Sequence, residues 1–109
     1  MNELKCIYNN QKSFYKKAMY EKVENSKQII YTLYSYKTTV LEIIIDKTNI
    51  LKSYYTVNCN TNYSNTTIKH VKEMIKQFLP VELFKTTFKN EPLTAKNIIQ
   101  KGVKQNGIK

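Results

Sequence analysis

Arginine and tryptophan are absent from this chain, and glycine, proline, cysteine and histidine are scarce. Its 109 residues include two Gly, two Pro, two Cys and one His. Without Arg there is no planar side chain to bond guanine edges in a bidentate manner, which argues against strongly sequence-specific DNA readout. The few Gly and Pro, together with 41% hydrophobic residues, argue against a disordered chain. The length predicts one domain, residues 1–109, with a single modest core.

Cysteine usage and apolar runs bear on the compartment. Cys6 and Cys59 lie far apart and match no metal-ligand spacing, so we expect reduced thiols, no metal and no cofactor. A disulfide between them would require an oxidising compartment, and residues 1–10 lack the apolar core of a signal peptide. The longest apolar runs, IIYTLY and VLEIII, are too short to span a bilayer. We therefore expect a cytoplasmic protein without a membrane partner.

Positive charge is abundant and is carried by lysine alone. The formal net charge is +10 and the sequence pI is about 9.6. Such a balance favours polyanionic partners, either nucleic acid or an acidic protein surface. The codon bias of an AT-rich genome explains Lys in place of Arg, but it explains less well why Lys so exceeds Asp plus Glu. Any nucleic-acid binding is predicted to follow the phosphate backbone.

Residues 13–57 have a strand-like pattern that is rich in Tyr, Thr, Val and Ile and interrupted by short polar turns. Four strands are predicted: residues 13–23, QIIYTLYSY, TTVLEIII and ILKSYYTV. Because their connections are short, the strands must be antiparallel, which gives a β-meander. In the third strand, Leu41, Ile43 and Ile45 are predicted to face the core.

Residues 65–79 change to a helical period. Their apolar side chains form one stripe at helical spacing: Ile68, Val71, Met74, Ile75 and Phe78. Ser64 or Thr66 supplies an N-cap oxygen, and Pro80 ends the helix. A meander cannot bury an apolar face alone, so this helix is expected to pack on the sheet in an α+β fold. Apolar residues on both sheet faces also make a homodimer an expected alternative.

The C-terminal extension, residues 80–109, has a weaker pattern. VELFKTTF is predicted to be a strand or an irregular crossing. Thr94 is predicted to cap a short helix, AKNIIQKGV, that ends near Gly102. Residues 103–109 are predicted to be a frayed basic end.

The single histidine, His70, lies on the main helix beside lysines. A metal site or a catalytic role would require further ligands or a positioned nucleophile, and the helix offers only Glu73 three residues on. We therefore predict that His70 is a surface residue or a partner contact. No catalytic residue is predicted, and the chain is not expected to be an enzyme.

Candidate binding residues are lysines and tyrosines. Lys69, Lys72 and Lys76 are spaced to lie on the outward side of the helix, where they form either a solvated face or a ridge for phosphate or acidic protein. In the sheet, Tyr34 and Tyr36 are predicted to share a face, and Tyr could stack bases or anchor a protein. The first predicted strand contributes a Tyr beside lysines: Tyr15, Lys16 and Lys17. The alternative is that Tyr simply suits strands.

Three motifs in order carry a family resemblance: KSFYKKA at 12–18, LYSYKTTV at 33–40 and YSNTTIKHVKEMIKQ at 63–77. They resemble the successive motifs of a small domain of unknown function that recurs in phages and mobile elements. The resemblance covers about two thirds of the chain and departs from the family pattern in its longer third strand and in residues 79–109. It implies a sheet followed by a helix, and no catalytic role for His70 or Glu73.

Two functions remain as hypotheses. The resemblance implies a phage-borne protein that binds host machinery, and inhibition of a defence nuclease, as by anti-CRISPR proteins, is a natural role. The partner would then be a host nucleoprotein effector or an acidic protein surface. The alternative is a general nucleic-acid-binding accessory protein that stacks single strands on the sheet and neutralises phosphates with lysines.

Overall fold

A computed structural model describes residues 1–58 and 63–104, with the backbone alone for residues 103 and 104. The strands are β1 (Asn2–Glu3), β2 (Ala18–Glu24), β3 (Gln28–Ser35), β4 (Thr38–Asp46), β5 (Tyr54–Val57) and β6 (Val103–Lys104). The helices are α1 (Asn65–Phe78), α2 (Val81–Phe88) and α3 (Ala95–Lys101), and a 3₁₀ turn spans Ile50–Lys52. The strands form one sheet in chain order: β1 to β5 pair antiparallel, and β6 joins β5 in parallel. The predicted α+β class and its meander are confirmed.

The first predicted strand begins too early. Residues 13–17 form a turn in which the Lys17 amide donates to the Phe14 carbonyl (2.9 Å), so β2 begins only at Ala18. Tyr15 and Lys16 both have positive φ, 52° and 62°, in this turn. Such φ values are typical of Gly or Asn. Residues 13–17 contain neither, so the sequence gives no signal that a turn forms here.

The fourth predicted strand is also shortened at its start. The Asn49 side chain accepts the Leu51 amide at 3.1 Å and caps the 3₁₀ turn. Only Tyr54–Val57 then pairs with β4. The extra strands β1 and β6 have two residues each, which is too short for a period to be seen in the sequence.

The main helix forms as predicted. Ser64, not Thr66, is the N-cap, and its hydroxyl accepts the Thr67 amide at 3.2 Å. The helix ends at Phe78, one residue before the predicted end. Its stripe enters a core built from both layers; the fully buried members include Leu33, Leu41, Ile43, Val57, Val71, Met74 and Ile75.

In β4, the predicted core face is confirmed at Leu41 and Ile43, whereas Ile45 is half-buried. Val40 is buried as well, because a bulge pairs Leu33 with Leu41 and Tyr34 with Thr39 and leaves Val40 as the extra residue.

Residues 81–88 correct the prediction for VELFKTTF, since they form a helix and neither a strand nor a crossing. Phe84 and Phe88 pack against each other with ring centroids 5.2 Å apart, and Phe88 stacks on Tyr55. Val and Thr favour strands intrinsically, but the i, i+4 contact of Phe84 with Phe88, which is buried against the sheet, outweighs that preference.

The last helix is confirmed, with Thr94 as N-cap and Gly102 as C-cap. A side chain at Gly102 would clash with the Tyr55 ring, because a Cβ there would lie 2.7 Å from it. The Tyr55 hydroxyl donates to the Ile98 carbonyl at 2.7 Å. β6 corrects the expected frayed end at residues 103 and 104, and residues 105–109 lie outside the described part of the chain.

All three helices pack on one face of the sheet. Tyr31 contacts Phe78 of α1, and Tyr55, which pairs with Ile43 next to Tyr31 on the same face, contacts α2 and α3. Among the described residues no helix covers the opposite face. The described residues therefore form two layers, with no helix on the other face of the sheet, which we call the open face.

Candidate anion-binding surface

His70 is not on the surface. Only 1% of its side chain is exposed, and its ring packs edge-on against Phe14 with centroids 4.6 Å apart. Burial, and next the nearby Lys17 charge, lower the pKa of His70 to about 4. The prediction of a surface or partner contact is wrong, because the neutral imidazole fills the space between α1 and the Tyr36 turn.

A serine lies within hydrogen-bond distance of this histidine. Ser35 Oγ is 2.8 Å from His70 Nδ1 and 3.1 Å from Thr67 Oγ1. The pair resembles a nucleophile and its base, but Ser35 is also buried, and the nearby charge that shifts the pKa of His70 is the ammonium of Lys17 and not a carboxylate. A substrate would have to displace Phe14 or Tyr36, so the geometry favours a structural hydrogen-bond network between helix and sheet.

Glu73 is the second side chain of α1 that faces inward. It is 2% exposed, and its oxygens accept the backbone amides of Ile7, Tyr8 and Asn9 at 2.8 to 3.1 Å. The Gln77 side-chain amide donates to the same carboxylate at 2.7 Å. Glu73 therefore fixes residues 7–9 against α1, a role for which the sequence contains no signal.

The three predicted lysines of α1 do come together. Lys69, Lys72 and Lys76 line a cleft of about 170 Å³ whose other wall is the loop that Glu73 holds. The loop contributes Tyr8, Asn9 and Asn10. Three ammonium groups against one carboxylate leave the cleft with excess positive charge, so it is suited to phosphate or carboxylate groups. We call it the basic cleft.

The predicted residues of the first strand and hairpin form a second cluster. Lys16, Lys17, Tyr34 and Lys37 line a shallow cavity of about 400 Å³ together with Met1 and Met19. Lys17 Nζ also lies 5.6 Å from the centroid of the Tyr36 ring. Tyr15 is exposed in the neighbouring turn. Tyr15, Lys16 and Lys17 therefore lie in a turn before β2 and not, as predicted, along the first strand.

The predicted shared face of Tyr34 and Tyr36 is wrong. Tyr36 lies in the turn and contacts the His70 ring on the helix side, at 5.9 Å. Tyr34 lies on the open sheet face, where burial and then the charge of Glu21 raise its pKa. Glu21 and Glu42 flank Thr32 on that face by register. Two carboxylates there would repel phosphates, which argues against a base-stacking platform. Dimerisation through this face stays a prediction.

The hairpin between β3 and β4 is strained. Its two central residues, Tyr36 and Lys37, have φ of 51° and 70°, as in a type I′ turn that prefers Asn-Gly. Lys37→Gly is expected to raise the free energy of unfolding by about 1 kcal/mol. The matched control is Lys27→Gly in the other exposed hairpin, where φ is not positive, and it should lower stability. Urea unfolding measures both, and a loss of stability in Lys37→Gly would contradict the strain.

Sequence reasoning missed the residues that complete these surfaces. The loop at 8–10 is polar and has no hydrophobic period. It forms a wall of the basic cleft only because Glu73 accepts its backbone amides, a contact that we call the Glu73 clamp. On α2, the spacing of Val81, Phe84 and Phe88 at i, i+3 and i+7 was a signal for an apolar helix face, and Pro80 at its start supported it.

No helix among the described residues has the length and apolar character that a membrane span needs. Within the same residues, no group of three His, Cys, Asp or Glu side chains could hold a metal ion.

Comparison with known proteins gives a family and nothing more specific. No curated protein and no solved structure matches the chain. The model of a family of unknown function, DUF8033, matches residues 2–91, and the chain belongs to that family.

Proposed function

We propose that this protein is a non-enzymatic binding protein of a phage or mobile element that inhibits or modulates a host nucleic-acid-handling defence complex. It acts in the host cytoplasm and docks through the basic cleft. The observation that carries the proposal is the convergence of Lys69, Lys72 and Lys76 on one cleft with a wall fixed by Glu73.

The cleft is built to persist without a ligand. Three backbone amides and the Gln77 side chain hold the Glu73 carboxylate, so the loop at 8–10 needs no partner to be ordered. A preorganised surface loses little conformational entropy on binding. Lysine ammonium groups act as point charges, so they attract acidic protein and nucleic-acid backbone alike.

General nucleic-acid binding is the second candidate, and the same lysines favour it. For that function, log K should fall with log salt by about 0.9 per duplex phosphate contacted. The carboxylates of Glu21 and Glu42 on the open face restrict such binding to the basic cleft and the turns.

The test is the triple alanine variant of Lys69, Lys72 and Lys76. Cells that carry an active CRISPR–Cas effector and express the wild-type chain should accept a targeted plasmid, and cells that express the variant should not. The control is the triple alanine variant of Lys27, Lys52 and Lys96. These lysines are exposed and lie outside the basic cleft, so the control removes the same amount of charge without changing the cleft. The proposal is contradicted if the cleft variant protects the plasmid as well as wild type does. It is also contradicted if wild type protects the plasmid from no effector in a panel.

Titration of the purified proteins with labelled single- and double-stranded oligonucleotides separates the two candidates. Under general binding, wild type binds bare oligonucleotide and the cleft variant loses up to about 2.7 units of salt slope, since three contacts of 0.9 are removed. If wild type, the cleft variant and the control variant all bind bare oligonucleotide weakly and equally, general binding is excluded, and the first candidate, docking on a specific effector, is favoured.

A further inference from the structure

An apolar groove adjoins the basic cleft. It lies between the end of α1 and α2, has a volume of about 320 Å³, and is lined by Leu79, Val81 and Phe84. Tyr8 of the N-terminal loop forms part of its wall. Val81 is 62% exposed and Tyr8 is 57% exposed, so the groove presents apolar surface to solvent. We call it the α2 groove.

Lysines surround the apolar lining. Lys76, Lys85 and Lys89 belong to the groove, and all three are exposed. Lys76 and Tyr8 also line the basic cleft, so the two sites meet at these residues. An apolar centre within a charged border is the usual anatomy of a protein-binding surface. The border here has one sign, which selects for a partner of the opposite sign.

Lys89 is held in a conformation that favours glycine. Its φ is 52° and its ψ is −123°, at the C-terminus of α2. A glycine would adopt this geometry without steric cost, whereas a lysine is strained by its Cβ. Strained residues are typical of binding sites, where the side chain has a use that offsets the strain. The Lys89 charge at the border of the groove is such a use.

We propose that the α2 groove binds an acidic amphipathic helical segment of a partner protein. Apolar side chains of the segment would fill the groove over Val81 and Phe84, and its carboxylates would face Lys76, Lys85 and Lys89. Nucleic acid fits less well, because the aliphatic side chains of Leu79 and Val81 offer phosphates no polar partner and bases no flat ring on which to stack. This inference rests on the proposed docking function and names the class of its partner.

The test uses a synthetic peptide in which Leu recurs at i, i+3 and i+7 among Glu residues, labelled for fluorescence anisotropy. A scrambled peptide of the same composition has the same charge but no apolar face. Wild type is expected to bind the amphipathic peptide at least about tenfold more tightly than the scrambled one. Equal binding of both peptides, or no binding of the amphipathic one, overturns the inference.

Val81→Asp tests the groove itself. The change places a carboxylate among the groove lysines, and at the first turn of α2 it is compatible with the helix. Binding of the amphipathic peptide should weaken at least about tenfold. The matched control is Val23→Asp, since Val23 is 59% exposed but lies in β2, outside the groove. Unchanged peptide binding in Val81→Asp, with wild-type circular dichroism, overturns the inference.

Lys89→Gly gives an independent readout. It should raise the midpoint of urea unfolding, because the strain is removed, and it should weaken the peptide complex.

The failure of this inference can be told from that of the proposed function. If the amphipathic peptide does not bind but plasmid protection is lost with Lys69, Lys72 and Lys76, the docking function stands and the partner class is wrong.

Discussion

Replacing Glu73 with Gln is expected to lower the free energy of unfolding by about 3 kcal/mol. The buried carboxylate accepts the amides of Ile7, Tyr8 and Asn9, and hydrogen bonds to an ionised group are about twice as strong as neutral ones. A glutamine of the same shape offers one carbonyl oxygen and turns an NH₂ group towards backbone donors. At a typical domain stability, this loss would be a large fraction of the total. Urea unfolding at neutral pH measures it.

The control is Glu82→Gln, an exposed carboxylate in the first turn of α2, which should cost less than about 1 kcal/mol. Hydrogen exchange adds a local readout. The amides of residues 7–9 should lose protection in Glu73→Gln before the strands of the sheet do. Similar stability losses in the two variants would mean that the clamp contributes little.

Stability is also expected to fall by about 3 kcal/mol between pH 7 and pH 4 because of His70 alone. The pKa of His70 in the folded protein is about 4, whereas its unfolded value is about 6.5. The unfolded chain therefore binds a proton at a pH where the folded protein does not. The stabilising contribution is complete above pH 6.5, is lost as the pH falls towards 4, and changes no further below that value.

His70→Asn removes the titration while keeping a polar atom near Ser35. This variant should be less stable at pH 7, since it loses the packing against Phe14, but its stability should vary little between pH 6.5 and pH 4.5. Because the chain has one histidine, its ring signals in an NMR titration need no assignment. A midpoint near 6.5 in the folded protein would refute the burial argument.

The elements with a strong period were predictable from sequence. Burial on one face requires an apolar residue at every third or fourth position of α1 and at every second position of β3 and β4, so these elements show a clear hydrophobic period. The turn at Tyr15 and Lys16 was not predictable, because its conformation is imposed on residues that disfavour it. Packing of the 14–17 segment over His70 supplies the compensation.

The candidate site was predictable only in its lysines. Lys69, Lys72 and Lys76 follow from helix geometry, since outward positions are fixed once the apolar stripe is known. Their neighbours come from the N-terminal loop and from α2, and a single sequence does not show such long-range proximity. His70 was misplaced because Lys69 and Lys72 beside it suggested a solvent-exposed face, although Val71 and Glu73 are buried too.

The order of the strands has a consequence for how the chain folds. From β2 to β5, each strand pairs with the next one along the chain, so each hairpin closes a short loop at small entropic cost. The β3–β4 pair has the longest ladder, which favours it as the nucleus. By contrast, β6 reaches β5 only after α1, α2 and α3 have been crossed. We therefore expect β6, which directly follows α3, to pair last during folding and to be the first strand to separate from the sheet.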